Sequence, residues 1–261
     1  MTFPAAPSAA RPLPPVVGAP WPGAPTTATE AWHGRIPLRF PRWGFGDAWI
    51  ALLGAFVASV AVGALLLLNQ GSTTWQNVIV LVSLVAQWVP ILGWPLVVTR
   101  WKGNGAVLDL GLALRRPDLA WGIGGGFVVL VAAGLLGALT QWVVGDFSSA
   151  AGDLLEQFRQ DPALLVLLAV GIGVIAPIVE EVCFRGLFWG ALAKRGLDPW
   201  WVTFWTAIAF AAFHLEPERM PLLFVTGMLL GYLRQRTGRL GAGILAHMVN
   251  NLVGVAGLFL V

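Results

Sequence analysis

The stretch that decides the fold runs from Pro162 to Ala193: PALLVLLAVGIGVIAPIVEEVCFRGLFWGALA. It is long and almost wholly apolar, and only Glu180, Glu181 and Arg185 in it are charged. Crossing the hydrocarbon core of a bilayer takes about 20 apolar residues in a helix. Charged groups at mid-bilayer cost roughly 2.5–3.5 kcal/mol each, so three unpaired in one helix would cost about 8–10 kcal/mol. A membrane span carrying this trio must pair its charges, turn them into the bundle interior, or use them.

The rest of the chain has the same character. Of 261 residues, 57% are hydrophobic and 11% charged, against about 25% charged in an ordinary soluble protein. Mean hydropathy is +0.76. Apolar runs recur at Ala48–Leu68, Trp75–Val98, Leu119–Val144, Trp200–His214, Met220–Leu233 and Leu240–Leu260. With Pro162–Ala193 they make about seven helices, seven to eight allowing for irregular segments. Pro90 and Pro95 are expected to break the second, and the fifth and sixth are short enough to be tilted or sunk among neighbours. The fold class is therefore all-α, a polytopic transmembrane bundle occupying residues 42–261.

Basic residues segregate by loop parity. Arg35, Arg39 and Arg42 precede the first run, and Arg100, Lys102, Arg115 and Arg116 follow the second. Lys194 and Arg195 follow the fourth; Arg234, Arg236 and Arg239 follow the sixth. The other breaks are uncharged (69–74) or lean acidic (Asp146, Asp153, Glu156, Asp161). Cytoplasmic loops are the basic ones, so this pattern predicts a multi-pass protein of the cell membrane with its N-terminus in the cytoplasm. The same scatter argues against nucleic-acid binding, despite a pI near 9.7. Residues 1–41 hold ten of the 18 prolines and read as a disordered or polyproline-II-like tail without a signal peptide's apolar region. Cys183 is the only cysteine, which excludes an intrachain disulfide and reads as packing.

Within the decisive stretch, Glu181 and Arg185 are four apart with the acid first, the better order for an ion pair on one helix face. Glu180 points about 100° away. One carboxylate can thus be held while the other stays free to act as a general base. A structural staple explains the Glu181–Arg185 pair equally well, but not the second Glu. His214 closes the fifth run. In the seventh, His247 and Asn251 are four apart on one face, with Asn250 beside them. Polar residues of this kind also serve as helix–helix hydrogen bonds.

Depth from the basic breaks is compatible with one site: Glu180 and His214 lie roughly 21 Å in, and His247 roughly 12 Å, fitting least well. Two imidazoles and a carboxylate (Glu180, His214, His247) suit Zn²⁺ with an open water position. The same groups also suit a metal-free route, with Glu180 deprotonating water and Asn251 donating to an oxyanion.

Glu180-Glu181-x-x-x-Arg185, Phe210-x-x-x-His214 and His247-x-x-x-Asn251 occur in that order, each in its own apolar run. On these motifs residues 160–255 resemble the CPBP family of intramembrane proteases, the CAAX-prenyl endopeptidase and bacteriocin-processing group that includes the Ras-converting enzyme. The resemblance implies helices around a membrane-embedded cavity and hydrolysis of a peptide bond in a peptide or protein substrate at the bilayer. Glu180 would activate water, His214 and His247 would position it or bind metal, and Asn251 would serve the oxyanion, with Glu181 and Arg185 in support. The family often has eight spans against the seven counted here. Two other classes fit the composition: a non-catalytic scaffold or bacteriocin self-immunity protein, and a small transporter using the cluster as a proton relay. The transporter is disfavoured by the lack of two inverted halves.

Overall fold

A computed structural model describes residues 40–68 and 73–260, and all regular structure among them is helical. The Pro-rich segment 1–39, read above as a disordered tail, lies outside the described residues.

Helix α1 spans Phe45–Leu68. Helix α2 runs from Thr73 to Lys102, joining Thr73–Trp88, a π-helical turn Val89–Gly93 and Trp94–Lys102. The expected break at Pro90 and Pro95 is thus a change of helical register rather than an interruption. A wider turn accommodates residues that cannot donate. Pro90 packs on Gly54 of α1, where an added Cβ would come within 2.9 Å of the ring. A short helix α3 (Ala106–Asp109) precedes α4 (Arg116–Val144), and α5 (Ala150–Gln157) lies between α4 and α6. Neither α3 nor α5 is expected from hydropathy, because both are too short to carry a span signal. Helix α6 covers Pro162–Ala193, α7 Pro199–Phe213, α8 Met220–Thr237 and α9 Gly241–Leu260.

Four of these are long and apolar enough to cross a membrane: α1, Asn77–Lys102 of α2, α4 and α6. Helix α7, with 15 residues, reaches only about 22 Å and is the shorter apolar element foreseen. Exposed Leu, Val, Phe and Trp side chains cover the outer faces of α1, α2 and α4, as a lipid-facing surface requires. The chain is a multi-pass helical membrane protein.

Small residues set the interhelical contacts. Cβ atoms added at Gly122 and Gly126 of α4 would collide with Leu245 and Val249 of α9 at 2.5 and 2.6 Å. Gly227 of α8 lies against the Ala207 backbone of α7, and Gly231 against Thr203. This is the close small-residue packing that joins helices where solvent gives no hydrophobic drive.

The basic breaks gather at one end. Arg42 N–H donates to the Lys102 carbonyl at 2.8 Å, and Lys102 pairs with Asp47 at 2.6 Å. The Lys194 ammonium reaches the Pro41 and Trp43 carbonyls and lies over the Trp43 ring. Trp43 Nε1 donates to Asp109 at 2.8 Å, joined there by Asn104. Two residues read as loop charges are instead buried: Arg234 is 1% exposed, and Arg239, 8% exposed, pairs with Asp118 at 2.7 Å. Arg239 stands in the connection between α8 and α9, packed against the first turn of α4.

Candidate active site

The site grows out of a helix whose register changes twice. Helix α6 is π-helical at Gly171–Ile175 and again at Val182–Phe188, with the α-helical stretch Ala176–Glu181 between. In the first π turn Ala176 N–H returns to the Gly171 carbonyl, five residues back. The next carbonyl, of Ile172, would take its bond from residue 177, which is a proline without an N–H. Asn251 of α9 fills that gap, its Nδ2 donating to Ile172 O at 3.0 Å. Asn250 Nδ2 donates to Asn251 Oδ1 at 3.2 Å and fixes the amide's orientation. Pro177 thus does more than loosen the helix: it creates the acceptor that ties α9 to α6 beside the acid pair. The second π segment is tied similarly, with Arg234 Nε donating to the Arg185 carbonyl at 3.1 Å. π-bulges of this kind are frequent at functional sites.

Glu181 and Arg185 form an ion pair of 2.8 Å with both side chains fully buried. Arg185 also donates through Nη2 to the Gly227 carbonyl at 3.1 Å, and its guanidinium lies over the Phe210 ring, 4.4 Å from the centroid. His247, 4% exposed, stands between the two carboxylates. Its Nδ1 is 3.4 Å from Glu181 Oε1 and its Nε2 is 3.7 Å from Glu180 Oε2, ion-pair distances longer than a hydrogen bond. Glu180 is the more open acid, its side chain 17% exposed against 0% for Glu181. Gly243 of α9 makes room for this arrangement, since an added Cβ would lie 2.9 Å from Glu181 Oε2.

His214 arrives from α7. Its Nδ1 is 2.8 Å from the Phe210 carbonyl oxygen. A carbonyl only accepts, so Nδ1 carries the hydrogen and a neutral ring keeps its lone pair on Nε2. The Phe210 ring contacts both imidazoles, centroid to centroid 4.7 Å from His214 and 5.8 Å from His247. After His214 the chain turns sharply at Leu215, whose φ of 56° is left-handed for a non-glycine residue. Glu216 then accepts from the Ala150 N–H of α5 at 2.7 Å and pairs with Arg219.

The structure therefore joins Glu180, Glu181, Arg185 and His247, and sets His214 against Phe210, whose ring also touches His247. One N–H of Asn251 is committed to the Ile172 carbonyl. Cys183 is buried next to the acids on α6, as a packing residue is. Sequence reading missed Phe210 as more than a motif letter, and also Gly243, Gly227 and Arg234. The Gly-x-x-x-Gly spacing of 227 and 231 was the available signal for Gly227; no comparable signal pointed to Gly243 or Arg234.

For metal, the expected donors were Glu180, His214 and His247. Among the described residues no group of three His, Cys, Asp or Glu side chains is placed to hold an ion. Glu180 and His247 supply two donors and His214, with Nδ1 on a backbone oxygen, keeps Nε2 as its donor atom, but the three do not converge on one point. The donor set as arranged does not close around a metal.

An all-helical membrane bundle with two adjacent carboxylates, one locked by arginine and one facing imidazole, is the class of molecule these features define. The family described as Type II CAAX prenyl endopeptidase Rce1-like matches residues 162–253, the segment that carries all three motifs. Two curated proteins are similar. "Putative membrane peptidase YdiL" of Bacillus subtilis is 25% identical over 150 residues, covering 57% of this chain and 57% of its own length. An uncharacterized 24.3 kDa protein of Escherichia coli is 26% identical over 148 residues, covering 54% of this chain and 65% of its own. The match thus spans less than two thirds of either relative's length. No solved structure matches the chain.

Proposed function

We propose that this protein is an intramembrane endopeptidase in which Glu180 activates a water molecule against a peptide bond of a membrane-associated substrate. The observation that carries the reading is the division of labour between adjacent acids. Arg185 holds Glu181 in a dry ion pair, and Glu180 alone is open, facing the His247 imidazole at 3.7 Å. A general base needs this freedom: a carboxylate not already engaged by a cation, beside a group that can orient the water it deprotonates.

In this reading Glu180 takes a proton from water as the oxygen attacks the carbonyl carbon. His214, with Nε2 left basic, orients that water. His247 stabilises charge between the acids, and Asn251 contributes its second N–H to the developing oxyanion. Glu180 then returns the proton to the leaving amine. Every step uses the chain's own groups. The C-terminal family match supports the reaction class, and a prenylated or otherwise lipid-anchored peptide is the substrate class proposed from it. The basic end of the bundle supports a cytoplasmic N-terminus in the cell membrane.

The test is hydrolysis by the purified protein in proteoliposomes, carried out in ¹⁸O-labelled water. The panel is membrane-anchored peptides with prenylated and unmodified C-terminal cysteines. The reading expects one ¹⁸O atom in each new carboxyl group. No product from any peptide, with folded protein present, removes the proposal.

A further inference from the structure

Resting on the peptidase reading, we infer that Phe210 is the positioning residue of this site: one side chain sets both imidazoles and the arginine that holds Glu181. Its ring is 1% exposed and touches four partners. The Arg185 guanidinium lies over it at 4.4 Å from the centroid. His214 meets it at 4.7 Å with planes inclined 65°, and His247 at 5.8 Å inclined 76°. Phe184 of α6 packs edge-on at 5.4 Å and fixes the ring in turn.

The geometry assigns a distinct task to each contact. The electron-rich ring face attracts the guanidinium. That attraction holds Arg185 where Nη1 reaches Glu181 and Nη2 reaches the Gly227 carbonyl. The steeply inclined contacts limit rotation of both imidazoles about χ2, a torsion that is otherwise broad. The Phe210 carbonyl, four residues before His214 on the same helix face, selects the His214 tautomer, and the ring is what keeps the imidazole seated on that oxygen. An aliphatic side chain fills similar volume but offers neither a flat face nor a quadrupole. It would leave Arg185 and the imidazoles free to shift, and a displacement near 1 Å can cost about 100-fold in rate. Phe210 touches no reacting atom in this account; it acts through His214, His247 and Arg185.

The experiment uses the full chain, ¹⁵N-labelled at histidine, in detergent micelles. Phe210→Leu is compared with wild type by imidazole ¹⁵N shifts and by kinetics on a membrane-anchored peptide. Wild type is expected to show His214 as a single Nδ1–H tautomer. Phe210→Leu is expected to show averaged tautomers and a kcat lower by about 10- to 100-fold, with KM within about twofold. A merely space-filling role would lower melting temperature without averaging the tautomer. Incorporating 3,4,5-trifluorophenylalanine in place of Phe210 keeps the shape and weakens the ring face. It is expected to retain the single tautomer and still lower kcat. A single tautomer with wild-type kcat in Phe210→Leu overturns the inference. If that variant does not fold, unchanged kcat in the fluorinated protein overturns it. Should wild type hydrolyse nothing, the peptidase reading fails on its own, and the tautomer comparison still decides the role of Phe210.

Discussion

Arg185 donates from Nη1 to Glu181 Oε1 at 2.8 Å, and neither side chain has any exposed surface. Both groups are removed completely from water, and the ion pair between them offsets that burial. Deleting one partner strands the other, at a cost of about 3–5 kcal/mol. Arg185→Ala is therefore expected to lower the unfolding midpoint sharply in detergent. Arg185→Lys is expected to recover only part of the loss, since one ammonium cannot reach both Glu181 and the Gly227 carbonyl while lying flat on Phe210. Thermal melts of the two variants check this.

Gly227 joins packing to the site. A Cβ there would lie 2.9 Å from both Cα and Cβ of Ala207, and the same residue's carbonyl receives Arg185 Nη2. Because the obstacle is backbone, α7 and α8 must separate. Gly227→Ala is expected to destabilise by about 1–3 kcal/mol. Gly137→Ala on α4, where the nearest atom would be 3.8 Å away, is expected to be neutral or slightly stabilising. Comparing the two melts separates crowding from helix propensity.

Lys194 supplies a pH dependence. Burial pushes its ammonium down from 10.5 to about 7, against the opposing pull of Asp109 and Asp47. Between about 7 and 10.5 the unfolded chain then binds the extra proton that the folded one lacks. Stability therefore rises with pH across that window, by up to about 1.4 kcal/mol per unit, and the penalty for burying the charge is fully present below it. Unfolding midpoints measured from pH 7 to 10 should climb in wild type. The Lys194 contribution to that climb should vanish in Lys194→Met.

Metal removal gives a further check on the donor arrangement. Dialysis against a strong chelator is expected to leave hydrolysis intact, because Glu180 and His247 make a pair and not a closed ligand set. Stoichiometric metal that disappears in His214→Ala, together with activity, would contradict this.

Much of this molecule is legible in the sequence because bilayers impose simple rules. Length and hydropathy located α1, α2, α4 and α6, and the i,i+4 spacing of Glu181 and Arg185 announced their ion pair before any coordinates. What stayed hidden depends on register and burial. Hydropathy cannot show that Pro90 sits in a π turn, or that Pro177 frees the Ile172 carbonyl for Asn251. Nor can it show that Arg239, in the connection between α8 and α9, is buried against Asp118 of α4. Phe210 resembles any other aromatic until α6 and α9 are in place around it.

The central claim is that Glu180, and not its neighbour, activates water. The most direct measurement is kcat of Glu180→Gln on a membrane-anchored peptide, with melting temperature recorded alongside. The amide keeps the shape and loses the base, so turnover should fall by about 10²- to 10⁴-fold while the fold is retained. Wild-type turnover in Glu180→Gln would contradict the account and leave the cluster only the task of clamping helices.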